Sequence, residues 1–292
     1  MSDFWYECVD CGQTWDNSRI RYLCPSCEKQ NSADKPPKGV LWVRYAWPKN
    51  PESKTAQDLL HHLWPIKDKR NFPLLSVGQT PLYAVQYQEK NKESMELFLK
   101  DDSQNPSYSF KDRASYLVSA FAKEHNIKIL VTASTGNAGS SLAAICAANH
   151  QKAIILLPES APEAKLLQVQ MYGAQLIKVQ GNYDKAFEDS IQLSKKNNWF
   201  NRNTAYNPFT IEGKKSVSYE IFEQTKAHIP DYIFVPVGDG VIISALYKGF
   251  EELLHMELIP KMPTALVLLT GSGLKDLKAP LAFMKEMDSL DL

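Results

Sequence analysis

The chain has 292 residues, of which 44% are hydrophobic, 23% charged and 11% aromatic, the composition of a folded protein long enough for two lobes. Thirty-three basic residues balance thirty-three acidic ones, so no overall field draws it to nucleic acid or anionic lipid, and no apolar stretch reaches membrane-spanning length. Residues 1–10 hold acids and aromatics in place of a basic and then apolar leader, and the protein is read as cytoplasmic.

Four of the five cysteines come first, as Cys8-x2-Cys11 and Cys24-x2-Cys27. Two such knuckles can aim four thiolates at the corners of a tetrahedron, which suits structural Zn2+ in a short ribbon; accidental turns or a redox dithiol are the alternatives. Residues 31–37 are polar, end in Pro36-Pro37 and read as a linker leaving the ribbon. Between 40 and 80, tryptophans and prolines obscure the pattern, and His61-His62 read as a solvated helix face or capping groups.

From residue 110 the pattern becomes regular. A helix is expected over 112–125, a strand over 129–133, a helix over 138–149, a strand over 153–157, a helix over 163–172, a strand over 176–179 and a helix over 183–196. Such alternation with short connections implies parallel strands and right-handed crossovers. A strand over 232–237, a helix over 242–254 and a strand over 266–269 follow. Cys146 falls in an apolar helical run and reads as a small core residue.

Three glycine clusters each follow an expected strand: Gly136-Asn137-Ala138-Gly139, Gly238-Asp239-Gly240 and Gly271-Ser272-Gly273. Ligands of open parallel sheets bind at the strands' carboxyl ends, so the three loops suggest one shared site. The second cluster opens into a helix whose free N–H groups could hold a phosphate, or it is a turn needed only for backbone geometry. Ser134 and Thr135 before the first cluster suit a carboxylate, or serve as a plain helix cap. Lys111, beside Phe110 at a helix entry, could lose solvation and favour its neutral amine, although lone lysines are mostly solvated charges.

These residues together carry a family resemblance. Gly78-Gln79-Thr80-Pro81-Leu82, Ser109-Phe110-Lys111-Asp112-Arg113, Ser134 to Asn137, Asn207-Pro208 with Glu212-Gly213, Pro236 to Gly240 and Leu269-Thr270-Gly271-Ser272-Gly273-Leu274-Lys275-Asp276 resemble the threonine synthases. These belong to the tryptophan-synthase-beta-like, fold type II group of pyridoxal 5'-phosphate (PLP) enzymes, here in the subgroup with an N-terminal zinc-ribbon-like segment. The resemblance runs over nearly the whole chain and implies an α/β fold: two open, mostly parallel α/β lobes preceded by a small zinc ribbon. The expected division is a ribbon over 1–38, a large PLP-binding domain over 39–112 and 200–292, and a small α/β domain over 113–199.

The resemblance also implies roles. Lys111 resembles the Schiff-base lysine, Asn137 the residue bonded to the cofactor's phenolic oxygen, Gly238, Asp239 and Gly240 the phosphate loop, and Thr270 the hydroxyl facing the pyridine nitrogen. Ser134 and Thr135 are similar to the loop that grips the substrate carboxylate. The chain departs from the family at Asp239, where the phosphate loop often has Asn, and at Ser272, where the terminal motif usually has His. It also lacks several tens of residues before the last strand. The large domain is therefore expected to be truncated between 263 and 264, with apolar surface left uncovered. The implied reaction converts O-phospho-L-homoserine and water to L-threonine and phosphate. Another beta-class lyase or dehydratase on a hydroxy or phospho amino acid, or a non-catalytic PLP-binding relative, stands beside it. The expected partner is a small amino-acid substrate, with no nucleic acid and no membrane, and a homodimer is compatible with the chain.

Overall fold

The computed structural model describes residues 4–31, 38–49, 51–52, 55–88, 95–161, 163–226, 228–237, 239–262 and 267–269. Three short strands come first, β1 (Phe4–Cys8), β2 (Thr14–Asp16) and β3 (Leu41–Tyr45), in an antiparallel sheet of order β2-β1-β3. β3 lies beyond the proline-containing linker yet pairs along the whole of β1, so the sheet straddles the boundary expected at residue 38.

Alternation sets what this sheet buries. Phe4, Tyr6 and Cys8 of β1 and Leu41, Val43 and Tyr45 of β3 point inward, while the residues between them are half-exposed. The buried face is continuous with the main core: Phe209 lies 6.0 Å from Phe4, 6.2 Å from Tyr6 and 3.9 Å from Phe121 between ring centroids. The ribbon is thus packed into the body of the protein.

Helix α1 (Ala56–Leu63) starts at Thr55, whose hydroxyl accepts from Asp58 N. Strands β4 (Leu82–Tyr87) and β5 (Met95–Asp101) pair antiparallel, and α2 (Lys111–Glu124) follows. Next come β6 (Ile129–Ala133), α3 (Asn137–Ala148), β7 (Lys152–Pro158), α4 (Glu163–Met171), β8 (Gln175–Val179), α5 (Tyr183–Asn197) and β9 (Phe200–Asn201). They form a parallel sheet of order β8-β7-β6-β9. β6 and β7 are buried almost throughout because helices cover both faces, as parallel strands require. These elements match the alternation expected from the sequence to within a residue or two at each end.

The chain then turns through α6 (Phe209–Lys214), α7 (Ser216–Gln224) and α8 (Val241–His255), and β10 (Val267–Leu269) pairs parallel with β5. The strand expected over 232–237 does not form. No described strand flanks that segment: Ile233 and Val235 pack against the main core, while Tyr232 is 65% exposed and Phe234 and Val237 are each 61% exposed. Tyr83, Val85 and Tyr87 of β4 are also exposed. The expected truncation point at 263–264 lies outside the described residues.

Candidate active site

Lys111 opens α2, and its neighbours fix where that helix begins. The Asp112 carboxylate accepts from Ser107 N at 2.6 Å and from the Ser107 hydroxyl, folding the preceding loop back on the helix. Arg113 is fully buried and donates to Asp102 at 2.6 and 2.8 Å, to Glu220 at 2.5 and 2.8 Å, and to Ser216 at 2.9 Å. A guanidinium satisfied on three sides has one position, so the turn carrying Lys111 has one position too. Gly213 brings α6 onto this turn: a Cβ there would sit 2.2 Å from the Arg113 carbonyl oxygen, an approach open only to glycine.

Burial, with Arg202 second, pulls the Lys111 amine below the usual lysine range, and Asp239 acts against them. The direction is that expected from the sequence; the causes are desolvation and a neighbouring cation. Arg202 follows β9. Its Nε donates to Ser115 Oγ at 3.2 Å, its Nη1 to Thr204 Oγ1 at 2.8 Å, and its backbone N to Val131 O at 2.8 Å. Ser115 lies one helical turn beyond Lys111 on the same face of α2.

Two helix N-termini complete the arrangement. At α3, Ser134 Oγ accepts from Gly136 N at 3.1 Å, and Ser141 of the same helix donates to Ser115 at 2.7 Å, holding α3 against α2. Asn137 and Thr135 are half-exposed there and Ser134 is buried, as a loop that presents donors to a ligand requires. At α8, Gly240 caps the helix with φ +76°, and nothing lies within 4 Å of where its Cβ would be. Asp239 is exposed, and its Oδ1 already accepts from Val241 N at 3.1 Å. The carboxylate therefore occupies one amide that a bound anion would otherwise use. Gly238 and Thr270 lie outside the described residues.

The description "pyridoxal-phosphate dependent enzyme" matches residues 74–278, more than half of the chain and the span that holds these three helix starts. The chain belongs to that family. A threonine synthase of Methanocaldococcus jannaschii is 35% identical over 266 residues, covering 88% of this chain and 63% of its own length. One from Methanosarcina acetivorans is 27% identical over 263 residues, covering 88% of this chain and 62% of its own. The chain thus spans under two thirds of the length of these relatives. Among solved structures, maize serine racemase superposes with a TM-score of 0.53 at 25% identity, over 61% of this chain and 54% of that one.

The described residues fit the family's cofactor. A half-buried lysine with a depressed amine, an open glycine at the start of α8 and the buried nitrogens Arg202 Nη2 and Lys214 Nζ, which have no hydrogen-bond partner among the described residues, suit an anionic, carbonyl-bearing group. Lys214, the last residue of α6, is fully buried and its Nζ has no hydrogen-bond partner among the described residues. Burial pushes it well below the ordinary lysine range, Lys111 and Arg202 push it further, and Asp239 opposes them. Sequence reasoning passed over both residues. The one available signal was a lysine directly after a close-packing glycine in a short apolar helix, Phe209 to Lys214.

The four cysteines meet away from this site. Their sulfurs lie within 4.8 Å of one another, with Cys8 to Cys27 at 3.8 Å and Cys11 to Cys24 at 3.9 Å. Thiolates about 2.3 Å from a tetrahedral ion sit about 3.8 Å apart, so the cluster has the dimensions of a four-cysteine metal centre. Cys146 is buried in α3 as a core residue. Among the described residues no helix is long and apolar enough to cross a membrane.

Proposed function

We propose that this protein is a threonine-synthase-type enzyme that takes O-phospho-L-homoserine and water to L-threonine and phosphate. The observation that carries the reading is Lys111, a half-buried lysine at the start of α2 whose amine is depressed by burial and then by Arg202, with Asp239 at the start of α8 acting against them. PLP, when bound, supplies an electron sink for charge developing at the substrate's Cα. The chain's own residues do the rest. Lys111 is the covalent anchor and moves the Cα proton, a task its lowered proton affinity suits. Ser134 and Thr135 would orient the substrate carboxylate, Asn137 would take the cofactor's phenolic oxygen, and Gly238, Asp239 and Gly240 would hold its phosphate. Thr270 would face the pyridine nitrogen of the bound cofactor. The likeness to named threonine synthases supports the choice of substrate.

The four cysteines are read as a structural Zn2+ site, and the protein as cytoplasmic and compatible with a homodimer. The lobes are read as 1–38, then 39–112 with 200–292, and 113–199, the last supported by the sheet built on β6, β7 and β8. One observation favours a second reading, cofactor binding without turnover: segment 232–237, ahead of the phosphate loop, forms no strand with the described residues and leaves Tyr232, Phe234 and Val237 exposed. Phosphate release from O-phospho-L-homoserine by the purified, PLP-loaded full chain separates the two. Release that depends on Lys111 supports the enzyme, and a loaded protein that releases none supports the binding reading.

A further inference from the structure

Asp239 stands where the related phosphate loops often have Asn, a side chain of the same shape without the charge. Its Oδ1 accepts from Val241 N, the first amide of α8, at 3.1 Å. The amides of a first helical turn have no carbonyl within the helix to meet, and that end of the helix carries partial positive charge, so an anion placed there is stabilised. In this structure the anion at the start of α8 is the Asp239 carboxylate.

The same carboxylate acts on the site around Lys111. It is the acid common to Lys111, Arg202 and Lys214, and at each it works against burial to raise the proton affinity. Basic side chains from α2, from the segment after β9 and from α6 therefore all feel one negative charge, carried by the loop that opens α8. Gly240, next along, has φ +76° and nothing within 4 Å of where its Cβ would be, so the space before these amides is open. Asp239 itself is exposed, and its carboxylate can turn out to water when a second anion arrives.

We propose that the Asp239 carboxylate competes with the phosphate of PLP for the start of α8, holding that helix end when the cofactor is away and leaving it when the cofactor binds. The inference rests on the reading of this loop as the phosphate seat. The backbone amides of the loop attract the phosphate, and its one acidic side chain opposes it as a like charge beside a dianion. Asp239 thereby sets how strongly the chain prefers PLP to pyridoxal, which has the same ring and aldehyde without the phosphate.

Asp239→Asn separates charge from shape, because the amide oxygen can still accept from Val241 N. The full-length protein, stripped of PLP, is titrated with PLP and with pyridoxal, and is melted without either. The variant is expected to bind PLP about tenfold more tightly, with no matching gain for pyridoxal. It should also melt at a lower temperature than wild type without cofactor, because the helix start has lost its charge partner. A residue that only shaped the loop would move stability and affinity in the same direction. Equal or weaker PLP affinity in Asp239→Asn overturns the proposal, as does a higher melting temperature without cofactor. An equal gain for pyridoxal overturns it too, since the charge would then act on the ring or on Lys111 and not on the phosphate. Gly240→Asn tests the seat itself, because Asn accepts the left-handed backbone and fills the open space before the amides. Weaker PLP binding there, with no effect of Asp239→Asn, keeps the seat and removes the competitor; unchanged PLP affinity in both variants removes the seat as well.

Discussion

The Tyr45 hydroxyl donates to Glu212 at 2.8 Å, joining the third strand of the cysteine ribbon to the short helix that ends at Lys214. Glu212 also holds Lys215 and Lys248, and Tyr22 beside the second knuckle accepts from Asn201 N at 3.0 Å and stacks on Tyr206 at 4.6 Å. The ribbon therefore braces both segments, β9 and α6, that deliver cations to Lys111.

Metal removal should consequently be felt at the cofactor site. A tightly bound equivalent of zinc is expected in the purified protein, and chelating it should lower Tm by roughly 5–10 °C, a loss of about 3 kcal/mol for a chain of this size. PLP affinity should fall with it. Zinc analysis, a melting curve and a cofactor titration on the same sample check this, and an unchanged PLP affinity after complete zinc loss would show that the bracing is without effect.

Lys111→Ala tests the anchor. Borohydride should trap PLP on one lysine-bearing peptide in wild type and on none in the variant, and turnover should fall by roughly a thousandfold. Noncovalent PLP should remain if the start of α8 holds the phosphate. Peptide mapping that finds the label on another lysine would remove the assignment.

Gly213→Ala tests the approach of α6 to α2. The new methyl would meet backbone at 2.2 Å, with no flexible side chain able to yield. The expected cost is about 2–3 kcal/mol, together with weaker PLP binding, because the turn carrying Lys111 must move. Chemical denaturation and a cofactor titration measure the two effects.

Glu220 sets an acid limit. Burial pushes its carboxyl up, but the Arg113 ion pair and then Lys100 outweigh that and hold it at about 2. A depressed carboxyl binds fewer protons folded than unfolded, so its contribution is fully present above the ordinary Glu range and is lost as pH falls from there toward about 2. The contribution is on the order of 3 kcal/mol. Glu220→Gln should cost about 3–5 kcal/mol at neutral pH by leaving Arg113 and Lys100 undercompensated. It should also flatten the acid slope of stability, which denaturation at a series of pH values would reveal.

The parts of this protein legible in the sequence are those that local chemistry writes. The paired cysteine knuckles, the strands and helices from residue 111 to residue 197 and the lysine at a helix entry all follow from spacing, hydrophobic period and capping groups within a few residues of one another. The expected strand at 232–237 failed on the same ground: its apolar run has strand character, but a strand exists only beside another, and no local signal supplies the neighbour. The tertiary structure alone decided that the ribbon packs into the main core through Phe4, Tyr6 and Phe209, and that Arg113 is locked by residues 11 and 107 positions away. It alone set Arg202 and Lys214 near Lys111 with no ion pair to an acid among the described residues. In sequence these are ordinary cations. Whether a lysine is solvated, paired or left waiting for an anion depends on what the rest of the chain brings within about 4 Å of it, and that is a property of packing.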